Sequence, residues 1–292
     1  MIALLFVAPA QATAVLGAES DLIAVYDQRR WWVAPQDALT TARFDPLEFE
    51  NGPGDESLIF ETLFPGPAQP VSQGPSDSDY LEFLAREDLG LDRLPLEGTL
   101  YVLQGNSGYH LRERGYGDFA WDLVRADENR VRFVGSGAEN DDYFVWDDPV
   151  YLPLGGYVAE VVRDAPDNPP GRILGVQSNL VGIRVAGRYY LYLLHLRQGS
   201  VPADFEIGDF LPAGTYIGRV GNSGVTLEPH LHLTLQWLDR AAGRLWSVPT
   251  VFEDLWISGD GRRFEPTELS RPVTGVWISV SPDATPLVED GR

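Results

Sequence analysis

The chain contains no cysteine and no lysine, and only one methionine. Without cysteine, the sequence excludes thiolate metal ligands, a cysteine nucleophile and a disulfide framework. All 22 basic residues are therefore arginine, against 43 Asp and Glu residues, which gives a formal net charge of −21. This acidic balance argues against nucleic acid as a partner, because phosphate binding requires a basic surface. It argues equally against docking on an anionic membrane.

Long apolar runs are also absent, since no segment approaches the ~20 apolar residues that a membrane span requires. The N-terminus reads MIALLFVAPAQATA, in which the apolar run at 2–8 is followed by the small-residue pattern Ala10-Gln11-Ala12. This pattern is typical of the later part of a secretory signal, although a basic stretch does not precede it. We therefore predict a signal-like leader over residues 1–20 and a secreted, periplasmic or cell-envelope protein.

Short alternating or apolar segments dominate the chain, and its 30 glycines and 22 prolines mark turns between them. We predict a mainly β fold, with an antiparallel sheet or sandwich domain at 98–250. A polar and aromatic insertion occupies 125–148 of that domain. An N-terminal region of mixed structure and unknown role (21–97) precedes it, and a C-terminal extension (251–292) follows.

Three smaller predictions concern the flanking regions. LIAVYDQRRWWVA is typical of a strand pair, or of one strand and a turn. SDSDYLEFLARED indicates a short helix, because Tyr80, Leu81 and Leu84 share a face behind Ser and Asp caps. VWISVS, near the C-terminus, is a candidate strand.

Only four histidines occur in the chain, and two of them are His230 and His232 in GNSGVTLEPHLHLTL. Side chains at i and i+2 of a strand point to the same face, so these two imidazoles project together, with Leu231 and Leu233 on the other face. Imidazole is a good zinc ligand, but a His-x-His pair is by itself weak evidence for a metal.

The remaining candidates are His110, Asp122 and His195. In YHLRERGYGDFAWDLV, His110 ends a glycine-rich loop and Asp122 lies in an apolar strand, where a carboxylate must be paired, metal-bound or bonded to backbone amides. Asp118 is the competing carboxylate, although its neighbours favour a solvated loop.

His195 is the next-to-last residue of the apolar run YYLYLLHL. Strand alternation places it on the face of Leu191 and Leu193. By itself this pattern favours a half-buried histidine at a strand end.

The ordered set His110, Asp122, His195, GNSG and PHLH resembles the lysostaphin/LytM-type zinc metallopeptidases, which are bacterial peptidoglycan endopeptidases. The resemblance covers about 98–250, is strongest at 186–236 and uses all four histidines. The spacing of His110 and Asp122 is longer than the common four positions, but the FAWD run fits members with a longer spacer.

The resemblance implies a duplicated hybrid motif and one zinc ion per chain, held by His110, Asp122 and His232. It implies that His230 and His195 are catalytic: His230 takes a proton from water as general base, and His195 donates a hydrogen bond to the oxyanion or steadies the intermediate. Three protein ligands leave a fourth position open, as in catalytic zinc sites. The implied substrate is a peptide of peptidoglycan, in its stem or its cross-bridge.

Two alternatives to an active endopeptidase remain. The first is a non-catalytic module of the same fold that binds the wall or regulates a hydrolase, and a regulatory module would have a protein partner. A zinc esterase or sugar deacetylase would keep the metal and change the bond that is cleaved.

Overall fold

The computed structural model describes residues 90–105, 119–239, 244–247, 250–270 and 272–286, together with four strand segments before residue 90. This part of the chain is built almost entirely from strands. They are β1 (Ala10–Thr13), β2 (Leu22–Asp27), β3 (Arg30–Pro35), β4 (Leu47–Glu48), β5 (Leu100–Gln104), β6 (Trp121–Val124), β7 (Pro149–Tyr151), β8 (Gly156–Val162), β9 (Arg172–Ile173), β10 (Asn179–Ala186), β11 (Tyr189–Leu196), β12 (Phe210–Leu211), β13 (Tyr216–Arg219), β14 (Leu231–Asp239), β15 (Arg244–Ser247), β16 (Phe252–Ser258), β17 (Glu265–Ser270) and β18 (Trp277–Ser279).

The largest β-sheet of the described residues has eleven antiparallel strands. Its order is β12-β8-β10-β11-β14-β6-β5-β18-β16-β17, and β15 pairs with the C-terminal half of β14. The N-terminal half of β14 pairs with β6, so β14 lies between β11 and β6 at the centre of the sheet. The mainly β, antiparallel fold predicted from the sequence is confirmed.

Smaller sheets accompany it. β1, β2 and β3 form a three-stranded antiparallel sheet, β4 pairs with β9, and β7 pairs with β13. The strand pair predicted for LIAVYDQRRWWVA is β2 and β3, and the strand predicted at VWISVS is β18. The helix predicted around Tyr80, Leu81 and Leu84 lies outside the described residues.

The alternation of β14 determines which face of the sheet is core. Its leucines Leu231, Leu233 and Leu235 are fully buried in the hydrophobic core, while His232 and Thr234 point to the opposite face. A strand that sorts apolar and polar side chains in this way is held in register, because a one-residue slip would exchange the two faces. The central strands therefore present a fixed polar face.

The insertion at 125–148 has little regular structure. It contains turns and one short 3-10 helix, Asn140–Asp142, and an isolated bridge joins Phe133 to Tyr143. The rings of these two residues also pack together, with centroids 5.2 Å apart. The bridge and the ring contact stabilise the conformation of the insertion.

Within the described part of the chain, the search for a helix with the length and hydrophobicity of a bilayer span finds none.

Candidate metal centre

The register of β6 against β14 places Asp122 directly opposite His232. The Asp122 Oδ1 atom lies 2.8 Å from His232 Nδ1, and both side chains are buried. The carboxylate thus contacts an imidazole rather than solvent, which agrees with the expectation that a carboxylate in this apolar strand must be paired. Asp118, the competing carboxylate, lies outside the described residues.

His230 lies immediately before β14 on the same polar face. Its Nε2 atom is 3.5 Å from Asp122 Oδ1, and its Nδ1 atom is 2.9 Å from the backbone carbonyl oxygen of Glu228. A carbonyl oxygen can only accept, so His230 Nδ1 carries the proton in this contact. In the neutral ring the lone pair is therefore on Nε2, the atom that faces Asp122.

His195 is on the polar face, which corrects the prediction that it shares the face of Leu191 and Leu193. Its ring centroid is 4.7 Å from that of His230 and 5.7 Å from that of His232. The physical reason is a left-handed backbone at His195, with φ of +63°, which interrupts the alternation of β11. The unusual φ is uncommon for a residue with a Cβ atom and is a form of strain.

Two hydrogen bonds hold this strained residue in place. The His195 backbone N–H donates to Ser178 Oγ at 2.8 Å, and its carbonyl oxygen accepts from Gly221 N–H at 2.9 Å. A Cβ atom at Gly221 would lie 2.4 Å from the backbone of Arg197, so only glycine permits this close approach. The first glycine of GNSG is thus required for the geometry of His195.

The His195 ring is neutral at ordinary pH. Its burial, and then the neighbouring His230 and His232, lower its pKa well below the usual value. Its Nδ1 atom lies 2.7 Å from the Ser223 carbonyl oxygen, which places the single proton on Nδ1 and the lone pair on Nε2. Neutral His195 therefore offers an acceptor at Nε2, and donation to an oxyanion requires the ring to take up a second proton.

Together the three histidines form a group that is able to hold a metal ion, since each offers one ligand atom and these atoms lie within 4.8 Å of one another. Zinc–ligand bonds of about 2.0–2.2 Å in a tetrahedral arrangement separate the donor atoms by roughly 3.3 Å. The distances of 2.8 and 3.5 Å from Asp122 Oδ1 to the two nearest imidazole nitrogens are close to this value. An imidazole and carboxylate donor set without sulfur also suits zinc.

Of the site residues predicted from the sequence, the structure brings together Asp122, His195, His230 and His232. His110 lies outside the described residues. Its assignment as a zinc ligand therefore stays a prediction.

A second layer of buried polar residues was missed by the sequence reasoning. Asn168 and Asn179 are fully buried beneath the GNSG turn. Asn168 Nδ2 donates to the carbonyl oxygens of Gly224 and Thr226, and its Oδ1 accepts from Leu174 N–H. The Asn168 side chain binds the backbone of the turn that carries the site, and the Asn179 side chain binds the backbone of Ala165 and Leu196. An isolated asparagine gives no sequence signal for either role.

Glu228 is the other residue that was missed. It is buried, and its two carboxylate oxygens accept from Arg132 Nε at 3.1 Å and from an Arg132 terminal nitrogen at 3.0 Å. The only sequence signal was a glutamate between Leu227 and Pro229, two residues before His230.

Comparison with known proteins finds no matching protein-family model and no matching curated protein. Solved structures do resemble the chain. The catalytic domain of the prophage-encoded M23 protein EnpA from Enterococcus faecalis is 20% identical, with a TM-score of 0.32, over 51% of this chain and 88% of that domain. The catalytic domain of lysostaphin from Staphylococcus simulans is 16% identical, with a TM-score of 0.29, over 52% of this chain and 88% of that domain.

A third structure is the M23 metalloprotease pseudoalterin from the deep sea, 17% identical over 63% of this chain and 96% of that one, with a TM-score of 0.33. Solved structures of the lysostaphin and M23 type are among those that the chain resembles, as its motifs indicated.

Proposed function

We propose that the chain is a zinc-dependent endopeptidase that hydrolyses peptide bonds in the stem or cross-bridge of peptidoglycan. The observation that carries the proposal is the convergence of Asp122, His195, His230 and His232 on one buried point of the polar face. Four ionisable side chains gathered in the interior destabilise a fold unless something compensates them, so such a cluster is a functional-site candidate.

In the proposed site, Asp122 and His232 hold the metal together with His110, the third ligand that the resemblance implies. Zinc when bound supplies Lewis acidity, which polarises a peptide carbonyl and acidifies water. Asp122 and His232 face each other across β6 and β14, so these two donors are fixed by the sheet register rather than by a loop.

His230 is the general base of this proposal. Its Nδ1–H donates to the Glu228 carbonyl oxygen, so in the neutral ring the lone pair that accepts a proton from water is on Nε2. The Nε2 atom lies 3.5 Å from Asp122 Oδ1, so the carboxylate stabilises the positive charge that forms when Nε2 takes up a proton. Burial and two neighbouring imidazoles hold the pKa of His195 well below its usual value, so its ring is a poor proton acceptor at neutral pH.

His195 acts late in the proposed reaction. While neutral it accepts at Nε2, and it becomes a donor to an oxyanion or a leaving amine only after it receives the proton that the neighbouring His230 has taken from water. A donor whose protonated form is disfavoured by burial releases its proton readily. This assigns His195 the role of a transient acid rather than a standing oxyanion donor.

The proposal is tested first by metal content. Purified full-length chain is expected to hold about one zinc ion, and the His232→Ala variant is expected to lose it. Absence of zinc from the wild type after reconstitution would favour the alternative, a non-catalytic wall-binding or regulatory module.

Product analysis then identifies the bond that is cleaved. The zinc-loaded chain is incubated with purified peptidoglycan and with short stem and cross-bridge peptides. New amino termini support the peptidase proposal, whereas released acetate would indicate a deacetylase. Activity on peptidoglycan would also agree with the export that we propose from the signal-like leader at 1–20.

A further inference from the structure

We propose that Arg132, in the insertion at 125–148, is a positioning residue for His230 and acts on it through Glu228. This inference rests on the proposed function, in which His230 is the base. Its starting point is that the Glu228 backbone carbonyl accepts the His230 Nδ1 proton at 2.9 Å. Whatever fixes the backbone at Glu228 therefore fixes which nitrogen of His230 carries the proton.

The side chain of Glu228 is the part of the residue that the insertion holds. It is 5% exposed, against 22% for the Arg132 side chain, and the two are joined by two hydrogen bonds of 3.0–3.1 Å. Two parallel bonds between a planar guanidinium and a carboxylate set direction as well as distance. The pair therefore anchors residue 228 at both its side chain and its carbonyl.

A second contact ties the insertion to the same loop. Asn222 Nδ2 donates to Asn140 Oδ1 at 3.0 Å, and both amides donate to the Asn168 carbonyl oxygen. Thr226 Oγ1 lies 3.1 Å from Asn222 Oδ1 and 2.8 Å from the Glu228 carbonyl oxygen. The loop before β14 is thus held by the insertion at two points, about six residues apart in sequence.

Loss of Arg132 leaves the Glu228 carboxylate buried without its cation. A buried carboxylate without its partner is costly, so the Glu228 side chain turns toward water, and this movement shifts the backbone carbonyl that binds His230 Nδ1. The His230 ring then exchanges between tautomers and its Nε2 atom is no longer fixed toward Asp122. The metal ligands Asp122 and His232 sit on paired strands and are not touched by this change.

The test compares Arg132→Gln with Arg262→Gln. Arg262 also pairs with a glutamate, Glu128, at 3.2 Å, but both side chains are mostly exposed, so it is the matched control. Nitrogen NMR of histidine-labelled, metal-free protein reports the tautomer of each ring, and His230 is assigned from a His230→Asn variant. In the wild type and in Arg262→Gln we expect His230 protonated at Nδ1.

In Arg132→Gln we expect the His230 signals to move to the average of two tautomers. In the zinc-loaded protein we expect kcat to fall at least tenfold with KM unchanged within twofold. An unchanged tautomer in a folded Arg132→Gln protein would overturn the proposal. A loss of stability alone does not support it, because a merely structural pair would leave the signals of His230 in place.

Two further variants cover the case in which Arg132→Gln does not fold. Arg132→Lys keeps the charge but not the two-bond geometry, and we expect a partial tautomer shift. The double variant Arg132→Glu with Glu228→Arg restores a pair, and we expect it to recover the wild-type tautomer; failure to recover it would count against the proposal. The NMR readout needs neither zinc nor substrate, so its failure is distinct from failure of the proposed peptidase activity.

Discussion

The metal centre and the two buried asparagines beneath it, Asn168 and Asn179, use buried polar side chains in two different ways. These two asparagines are called the support. In the support, Asn179 is fully buried: its Oδ1 accepts from Ala165 N–H, and its Nδ2 donates to the carbonyl oxygens of Ala165 and Leu196. In the centre, Asp122 faces the two imidazoles of His230 and His232 instead. One set of residues bonds to backbone, and the other gathers ionisable groups against each other.

This difference in bonding partners indicates which residues contribute to stability and which contribute to metal binding and catalysis. A buried amide whose donors and acceptor all reach backbone groups holds loops in one geometry and has no N–H donor left for a ligand. A buried group of imidazoles around a carboxylate does little for the fold, because the carboxylate charge and the polar rings must be desolvated. We therefore expect support variants to lose stability and centre variants to lose zinc or activity.

The largest expected effect is on catalysis. His230→Ala is expected to lower the rate of peptide hydrolysis by about 10²–10⁴-fold, the usual contribution of a general base, while zinc content stays near one per chain. His232→Ala is expected to lose both the bound zinc and the hydrolytic activity. The measurement is the hydrolysis rate alongside metal analysis of each variant, and zinc loss in His230→Ala would make His230 a ligand instead.

The next effect is on stability. Asn179→Ala removes three hydrogen bonds and leaves buried backbone groups of Ala165 unsatisfied, so we expect the free energy of unfolding to fall by about 3–5 kcal/mol. Urea unfolding of the metal-free chain measures it. Asn129→Ala, at an exposed position, is the matched control and should change stability by no more than about 0.5 kcal/mol.

Acidification provides a third comparison. Burial lowers the pKa of His195 below its unfolded value of about 6.5, so the unfolded chain binds the proton first and stability falls as the pH drops below that value. One proton changes the unfolding free energy by at most about 1.4 kcal/mol per pH unit. The metal-free wild type should therefore lose stability relative to His195→Ala between pH 7 and pH 5. A constant difference would contradict the lowered pKa.

The smallest expected effect concerns backbone strain. At a φ of +63° glycine is unstrained and alanine is not, so His195→Gly should be more stable than His195→Ala by about 1 kcal/mol. Both variants lack the imidazole, so the comparison isolates the backbone. Equal unfolding midpoints in urea would show that residue 195 does not hold the left-handed conformation.

Much of this protein follows from the sequence by itself. Alternation in LHLTLQWL determines that His232 faces away from the leucines, because side chains of a strand alternate with a period of two. The absence of cysteine excludes thiolate metal ligands, which leaves imidazoles and carboxylates as the side chains that best suit zinc. The position of Asp122 in an apolar run determines that its carboxylate needs a partner.

Only the tertiary structure decided the rest. Periodicity placed His195 with Leu191 and Leu193, and a single left-handed residue moved it to the polar face, because a side-chain pattern holds no information about one dihedral angle. The pairing of Arg132 with Glu228 joins residues that are 96 positions apart. Contacts over such distances depend on how strands are ordered in the sheet, which the packing of the whole core determines.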